Sequence, residues 1–322
     1  MRTSILSALL IALLSLPWTV VAKEKKEPAP VLPIGWLYIH EGSRELSVPK
    51  EDFQKAKRSL LPGSLVPVFK TKEMNGASYG RVASLNMLTG MVEFGWVKMD
   101  RAELRPPTAY PPDDALVPLL GDPYLDDVVA KHTGMARFVV PQTQGPELLL
   151  CYVLTGQLSM ARLVLFTPHG GKFAPGASVD IPITELQNGI TSLEIRNLVG
   201  DATECVITQE AFHEFGGAAG INLLIRRIVD GQIHNVWQAP IKLKNLSQYN
   251  SNLKILEPPE KNMGAPGTVT TGDVTYEASG SGQTPVWKGK VEFFVVNREK
   301  PLDSVTIEKP CPWNGSAFSP LR

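Results

Sequence analysis

Four short runs in this chain spell residue combinations that can carry catalysis. Gly76-Ala77-Ser78-Tyr79-Gly80 matches G-x-S-x-G, in which a strand-to-helix turn holds a serine nucleophile exposed. Here polar residues 70–75 precede the run and strand-like Arg81-Val82-Ala83 follows it, so it reads as a plain hairpin turn. Ser47-Val48-Pro49-Lys50 matches S-x-x-K, but the companion motifs S-D-N and K-T-G are absent, and Ser47 has a simpler use as a helix cap. His213-Glu214 opens like the zinc clamp H-E-x-x-H, yet the place of the second imidazole is taken by Gly217. His169-Gly170-Gly171-Lys172 is glycine-rich and basic. Phe166 and Phe173 stand where a phosphate loop needs glycine and a hydroxyl, so this too reads as a turn.

Longer-range chemistry is equally sparse. The five histidines, at 40, 132, 169, 213 and 234, lie in no local motif that would orient a general base. A hydrolase would have to assemble its site from distant residues such as Asp180, Glu194, Asp201, Glu210 and His213. Cysteine spacing fits no zinc pattern, and neither a metal nor a cofactor is expected. With Lys+Arg and Asp+Glu equal at 32 each, nothing steers the whole chain toward nucleic acid.

The positive lead is aromatic. Trp36, Tyr38, Tyr79, Phe94 and Trp96 crowd the first hundred residues of a chain that is only 7% aromatic. Small β domains hold extended ligands on such rings, which makes Trp36, Tyr79, Phe94 and Trp96 the candidate binding residues. The competing assignment for each ring is the hydrophobic core. Alternation over residues 91–99 does not decide between them, because apolar groups fall on both faces.

The elements that must position these rings follow from punctuation. Arg2, an apolar run over 5–16, Pro17 and the exit Val20-Val21-Ala22 have the layout of a cleaved secretory signal, too short to span a membrane. No other apolar run reaches spanning length, so no transmembrane segment is expected after cleavage. A proline-rich lead-in covers 23–33. Strands are expected at 35–39, 65–70, 79–85 and 91–99. A helix is expected over 49–60, capped by Ser47, with Phe53, Ala56 and Leu60 on one face. The run Arg-Pro-Pro-Thr-Ala-Tyr-Pro-Pro within 105–121 reads as a stiff linker and the domain boundary. A short helix is expected to start the second domain, opened by Asp122-Pro123 and ended by Gly134.

Beyond it, strands follow one another. Residues 148–158 and 223–233 share the pattern of apolar strand, two-residue turn (Thr-Gly or Asp-Gly) and next strand. Another hairpin is expected over 291–308, and Trp313 and Phe318 flank a last small turn. Of the three cysteines, Cys151 and Cys205 lie in strand-like apolar runs and are the favoured disulfide pair in an oxidising compartment. Three buried thiols are the alternative.

Two resemblances sharpen the fold. The run Gly63-Ser64-Leu65-Val66-Pro67-Val68 and the run from Leu88 to Gly95-Trp96-Val97 resemble the first strand and a hairpin of bacterial SH3-like barrels, over about residues 63–104. That resemblance implies a binding platform for cell-wall or peptide ligands and no chemistry. Residues 191–201 and the closing Trp313-Asn314-Gly315 resemble worn FG-GAP-type propeller repeats that lack the family's acidic calcium loop. The expected architecture is therefore mainly β. A small SH3-like barrel (34–104) precedes a larger all-β domain (122–322), a degenerate propeller or a β-sandwich with one short helix at its start. The expected function is that of an exported, non-enzymatic binding or scaffold protein of the cell envelope, periplasmic or secreted. Its partner would be a peptide, a wall fragment or an envelope protein. The alternative is a secreted hydrolase with a targeting barrel.

Overall fold

The structure is a computed structural model. It describes residues 32–39, 44–47, 56–87, 91–100, 102–116, 119, 135–142, 145–155, 160–182, 190–201, 203–214, 218–245, 267–294 and 300–321. The expected signal segment and the helix expected from Asp122 to Gly134 lie outside these residues.

Seven strands make the first sheet: β1 (Gly35–Tyr38), β2 (Arg44–Ser47), β3 (Ala56–Leu60), β4 (Leu65–Met74), β5 (Ala77–Asn86), β6 (Met91–Lys98) and β7 (Glu103–Arg105). They run in the order β3-β2-β6-β5-β4-β1-β7, and every pairing is antiparallel. Asn75 and Gly76 both take positive φ, 49° and 74°, and close β4 onto β5 with Met74 opposite Ala77. Both turn residues must accept that conformation in a two-residue hairpin. The G-x-S-x-G run thus leaves a turn and continues as a strand, as its flanks predict.

The helix expected over 49–60 is corrected over 56–60, and residues 49–55 lie outside the described ones. Residues 56–60 form β3, paired with β2 from Arg44↔Leu60 to Ser47↔Ala56. Ser47 ends β2 and lies opposite Trp96. A three-residue helical spacing of Phe53, Ala56 and Leu60 is weaker than a ladder of cross-strand bonds that also buries Leu60.

Four strands make the second sheet, β8 (Ala136–Val140), β9 (Leu148–Thr155), β10 (Met160–His169) and β11 (Lys172–Pro182), in the order β11-β10-β9-β8. Gly170 and Gly171, both at positive φ, form the turn predicted for the His169–Lys172 run. The third sheet is a seven-stranded meander in chain order. Its strands are β12 (Ile190–Arg196), β13 (Cys205–Glu214), β14 (Ala218–Val229), β15 (Gln232–Asn245), β16 (Gly267–Ser279), β17 (Gly282–Phe294) and β18 (Asp303–Pro310). Asp230-Gly231, at φ 51° and 71°, closes β14 onto β15. The chain is mainly β, and its described helical elements are a single 3₁₀ turn (Pro107–Ala109) and a one-turn helix, α1 (Asp113–Leu116).

Packing stacks these sheets around the second one. The inner face of the curled first sheet holds its own core of Leu37, Ile39, Leu60, Val66, Val68, Val82 and Val97. Its outer face contributes Trp36, Tyr38 and Leu65 to a cluster with Val139, Leu149, Cys151 and Phe166 of the second sheet. The opposite face of the second sheet, with Phe138, Leu150, Tyr152 and Leu163, packs on Ile190, Leu193, Val206 and Ile228 of the third. Burial on both faces accounts for the unbroken apolar run Leu148-Leu149-Leu150-Cys151-Tyr152-Val153 in β9, which an alternating half-buried strand would not show. The far face of the third sheet is covered by the closing segment, where Trp313 and Phe318 bridge each other with rings 5.1 Å apart.

Residues 33–322 form one compact unit. The segment expected to be an extended spacer is part of its core: Tyr110 and Leu116 are buried in the cluster that joins the first two sheets. Arg105 fixes it there, donating to Tyr110 Oη and to Glu147 while lying over the Tyr38 ring at 4.4 Å. The main chain crosses the same boundary, with Val139 N–H donating to Gly63 O at 2.8 Å. The favoured Cys151–Cys205 pair is also corrected. Cys151, Cys205 and Cys311 are all buried thiols with no disulfide among them. Cys151 lies in the cluster between sheets one and two, whereas Cys205 and Cys311 lie on the far side of sheet three.

Deep in the third sheet, Trp287 is fully buried and donates its indole N–H to Pro240 O at 2.9 Å. Its ring lies against glycine on two strands. A Cβ on Gly289 would come within 2.2 Å of the ring, and one on Gly272 within 2.5 Å of the indole nitrogen. Glycine inside a strand often marks such a close approach.

Candidate functional site

Cross-strand register builds a cationic and aromatic surface on the outer face of the first sheet. Opposite residues in an antiparallel pair share a face, so β4, β5 and β6 present the row Lys72·Tyr79·Lys98 and beside it Lys70·Arg81·Trp96. A third row brings Ala83 opposite Phe94. The ladder between β4 and β5 shifts between Val68 and Lys70. That bulge adds Phe69 to the outer face, where its ring centroid is 6.1 Å from that of Phe94. Neighbouring strands stand about 4.8 Å apart and alternate residues about 7 Å apart along a strand. The rows therefore make a grid of side chains on a gently twisted surface.

Phe94 is 52% exposed, unusual for a large apolar ring. The Arg81 guanidinium carbon lies 5.6 Å from its centroid. Lys70, Lys72 and Arg81 are exposed, and among the described residues no carboxylate pairs with them. Lys98 meets Asp100 at 3.3 Å, with both partners about half exposed, a contact worth at most about 1 kcal/mol. The net formal charge of the chain is zero. The excess of positive charge on this face is thus local, and it favours an anionic ligand whose apolar parts rest on Phe94 and Phe69.

The four candidate binding residues are divided by the fold. Phe94 is exposed and Tyr79 is half-buried on the face just described. Trp36 is a core residue at 3% exposure, its indole N–H donating to Pro107 O at 3.2 Å, Tyr110 edge-on to its ring and the Arg137 guanidinium 4.6 Å above it. Trp96 points to the outer face by register but is 8% exposed, so it supports the surface more than it offers one. Lys70, Lys72, Arg81 and Phe69 were not singled out from the sequence. The signal available there was alternation within Phe69-Lys70-Thr71-Lys72, but the bulge that sets its phase is not readable from residue order.

The carboxylates on which a hydrolase would depend are each held by a different arginine. Asp180 receives Arg162 at 2.5 Å, Glu194 receives Arg196 at 2.5 Å, and Asp201 receives Arg227 at 2.5 Å. Glu210 is paired with Arg226 between the second and third sheets, with Thr208 donating to the same carboxylate. Tyr152 belongs to this buried layer. Its hydroxyl accepts from Ile190 N–H at 3.4 Å, and burial, opposed by that bond and helped by the Glu210 charge, raises its pKa to about 12. Glu204 is likewise held above the ordinary carboxyl range, first by burial and then by the neighbouring Asp201. The side chain of His213 lies outside the described residues. Among the described residues no three histidine, cysteine or acidic groups gather in a way that could hold a metal.

No family model matches this chain, and no curated protein and no solved structure matches it either.

Proposed function

We propose that this chain is an exported, non-enzymatic binding protein of the cell envelope, and that the outer face of β4, β5 and β6 grips an extended, negatively charged peptide or wall fragment. The observation that carries the reading is Phe94, exposed beside Phe69 and under Arg81, within a grid that also presents Lys70, Lys72 and Lys98. The first sheet serves as an SH3-like platform in this reading, in keeping with the Gly-Trp-Val end of β6. For the rest of the chain a sandwich is favoured over a propeller, because the second and third sheets share one face-to-face core. Binding is preferred to hydrolysis because Asp180, Glu194, Asp201 and Glu210 are each engaged by a separate arginine.

The test uses the purified chain and two probes, a hexaglutamate peptide and soluble peptidoglycan fragments. At low salt one of them binds, and Phe94→Ala and Arg81→Ala each weaken that binding about tenfold. Raising the salt from 50 to 200 mM weakens it further. Absence of binding to both probes, or binding that neither substitution alters, rejects this face as the site. Export is tested separately by the mass of the protein recovered from the envelope, which on this reading begins at Lys23.

A further inference from the structure

A cavity opens where the three sheets meet. β4 and β5 are paired only as far as Val68↔Val82. Beyond that point they diverge: β4 stays with β1 through Tyr38↔Leu65, while β5 stays with β6 through Asn86↔Met91. Pro67 stands on β4 at the start of the gap. Ile39 N–H donates to Ser64 O, and alternation along the ladder then turns the main-chain groups of Leu65 and Pro67 away from β1, toward β5. Proline has no N–H to give there, so the ladder cannot continue. The gap is closed from the far side by β8, through a bridge between Ser64 and Phe138, and by the start of β12.

The result is a pocket of about 190 Å³. Its polar lining is Ser59, Ser64, Ser84, Asn86, Thr191 and Ser192, of which Asn86 donates to Glu93 Oε1 at 3.1 Å and Thr191 to Gln209 O at 3.4 Å. Apolar wall comes from Leu60, Leu85, Met87 and Phe138. No lysine or acidic side chain is part of the lining. The one arginine there, Arg137, has its guanidinium committed elsewhere, donating to Pro111 O at 2.5 Å and covering the Trp36 ring. Among the described residues the hydroxyls of Ser59, Ser64 and Ser192 have no protein partner.

We infer that this pocket is a binding site for a neutral, polyhydroxylated small molecule the size of one sugar ring. Hydroxyls both donate and accept, so a lining of serines, threonine and asparagine matches a ligand whose own groups do the same. With Arg137 turned to Pro111 and Trp36, the lining presents no other charged side chain to pair with an ionic ligand, and desolvating such a ligand would be costly. Leu85, Met87 and Phe138 suit the C–H face of a ring. The volume equals that of about six waters, which matches one monosaccharide or pentitol in size.

The experiment is a titration of the full chain with glucose, N-acetylglucosamine and xylitol, read by saturation-transfer NMR and by thermal shift, with maltose as the size control. At least one monomeric probe saturates at millimolar concentration and maltose binds at least tenfold more weakly. Ser192→Leu and Ser84→Val, which fill or dry the pocket, each lower the affinity at least tenfold with unchanged circular dichroism. These probes differ from those of the peptide test, so failure here is distinguishable from failure of the peptide site. The inference is overturned if no probe saturates, or if maltose binds as well as the monomers. It is equally overturned if folded Ser192→Leu or Ser84→Val retains full affinity.

Discussion

Trp36 and Phe94 were equivalent as aromatic candidates, yet the protein uses them oppositely. Trp36 is enclosed by Tyr110, Arg137 and the second sheet, so Trp36→Ala removes a buried indole and its hydrogen bond to Pro107. It is expected to cost about 3–5 kcal/mol, measured as a shift of the urea midpoint. Phe94→Ala is expected to change that midpoint by less than about 0.5 kcal/mol, because half the ring already faces water. Equal losses of stability would place Phe94 in the core and remove the proposed site. Titration offers a second residue-scale prediction. Burial raises the Cys205 thiol from 9.0 to about 11 and the Tyr152 hydroxyl from 10.0 to about 12. The unfolded chain then releases these protons first as the pH rises, so the native state binds more protons in that range and its stability falls with pH. The contribution is fully present below pH 9 and is lost progressively as pH climbs through about 11 and 12. Melting temperatures from pH 8 to 12 check this, and Cys205→Ala should flatten the part of the curve between 9 and 11. A melting temperature constant up to pH 11 would contradict it.

Among the elements, the long third-sheet strands depend on what their middle glycines leave room for. Trp287 occupies the space a side chain on Gly289 or Gly272 would need. Gly289→Ala must push the ring out of place, and we expect a loss of about 1–3 kcal/mol with altered near-ultraviolet circular dichroism. Gly76→Ala disturbs no packing, since nothing lies near its Cβ, and its cost arises only from φ +74°. Comparing the two separates close approach from backbone conformation. β3 teaches a related lesson. Residues 56–60 have an acceptable helical pattern, but a helix there would leave β2 without the partner it has in Arg44↔Leu60 and its neighbours. The hairpins, by contrast, were readable in advance, because Asn75-Gly76, Gly170-Gly171 and Asp230-Gly231 carry residues that tolerate positive φ at both central positions.

Across the whole molecule, the second sheet is a shared layer with a core on each side. Tyr110 and Leu116 tie the proline-rich segment into one of those cores. Calorimetry of the full chain should therefore give a single transition with calorimetric and van't Hoff enthalpies in agreement. Two separated transitions would mean that residues 34–104 and 122–322 melt independently, as the proline-rich boundary alone suggests.

Residue order by itself determined the β class, the position and type of several tight turns, the closing Trp313–Phe318 corner, and the region that holds the proposed binding face. Each of these is local: a dipeptide's preference for positive φ, or the apolar character of a short run, acts whatever lies opposite. Tertiary structure alone decided which tryptophans are buried, that 56–60 is a strand, that 105–116 is core, and that the cysteines stay apart. It also decided that a bulge at Phe69 and a proline at 67 shape the outer face and the cavity. Those outcomes depend on which sheet packs against which, and partners far apart in the chain set that choice through burial and hydrogen bonding that no short window contains.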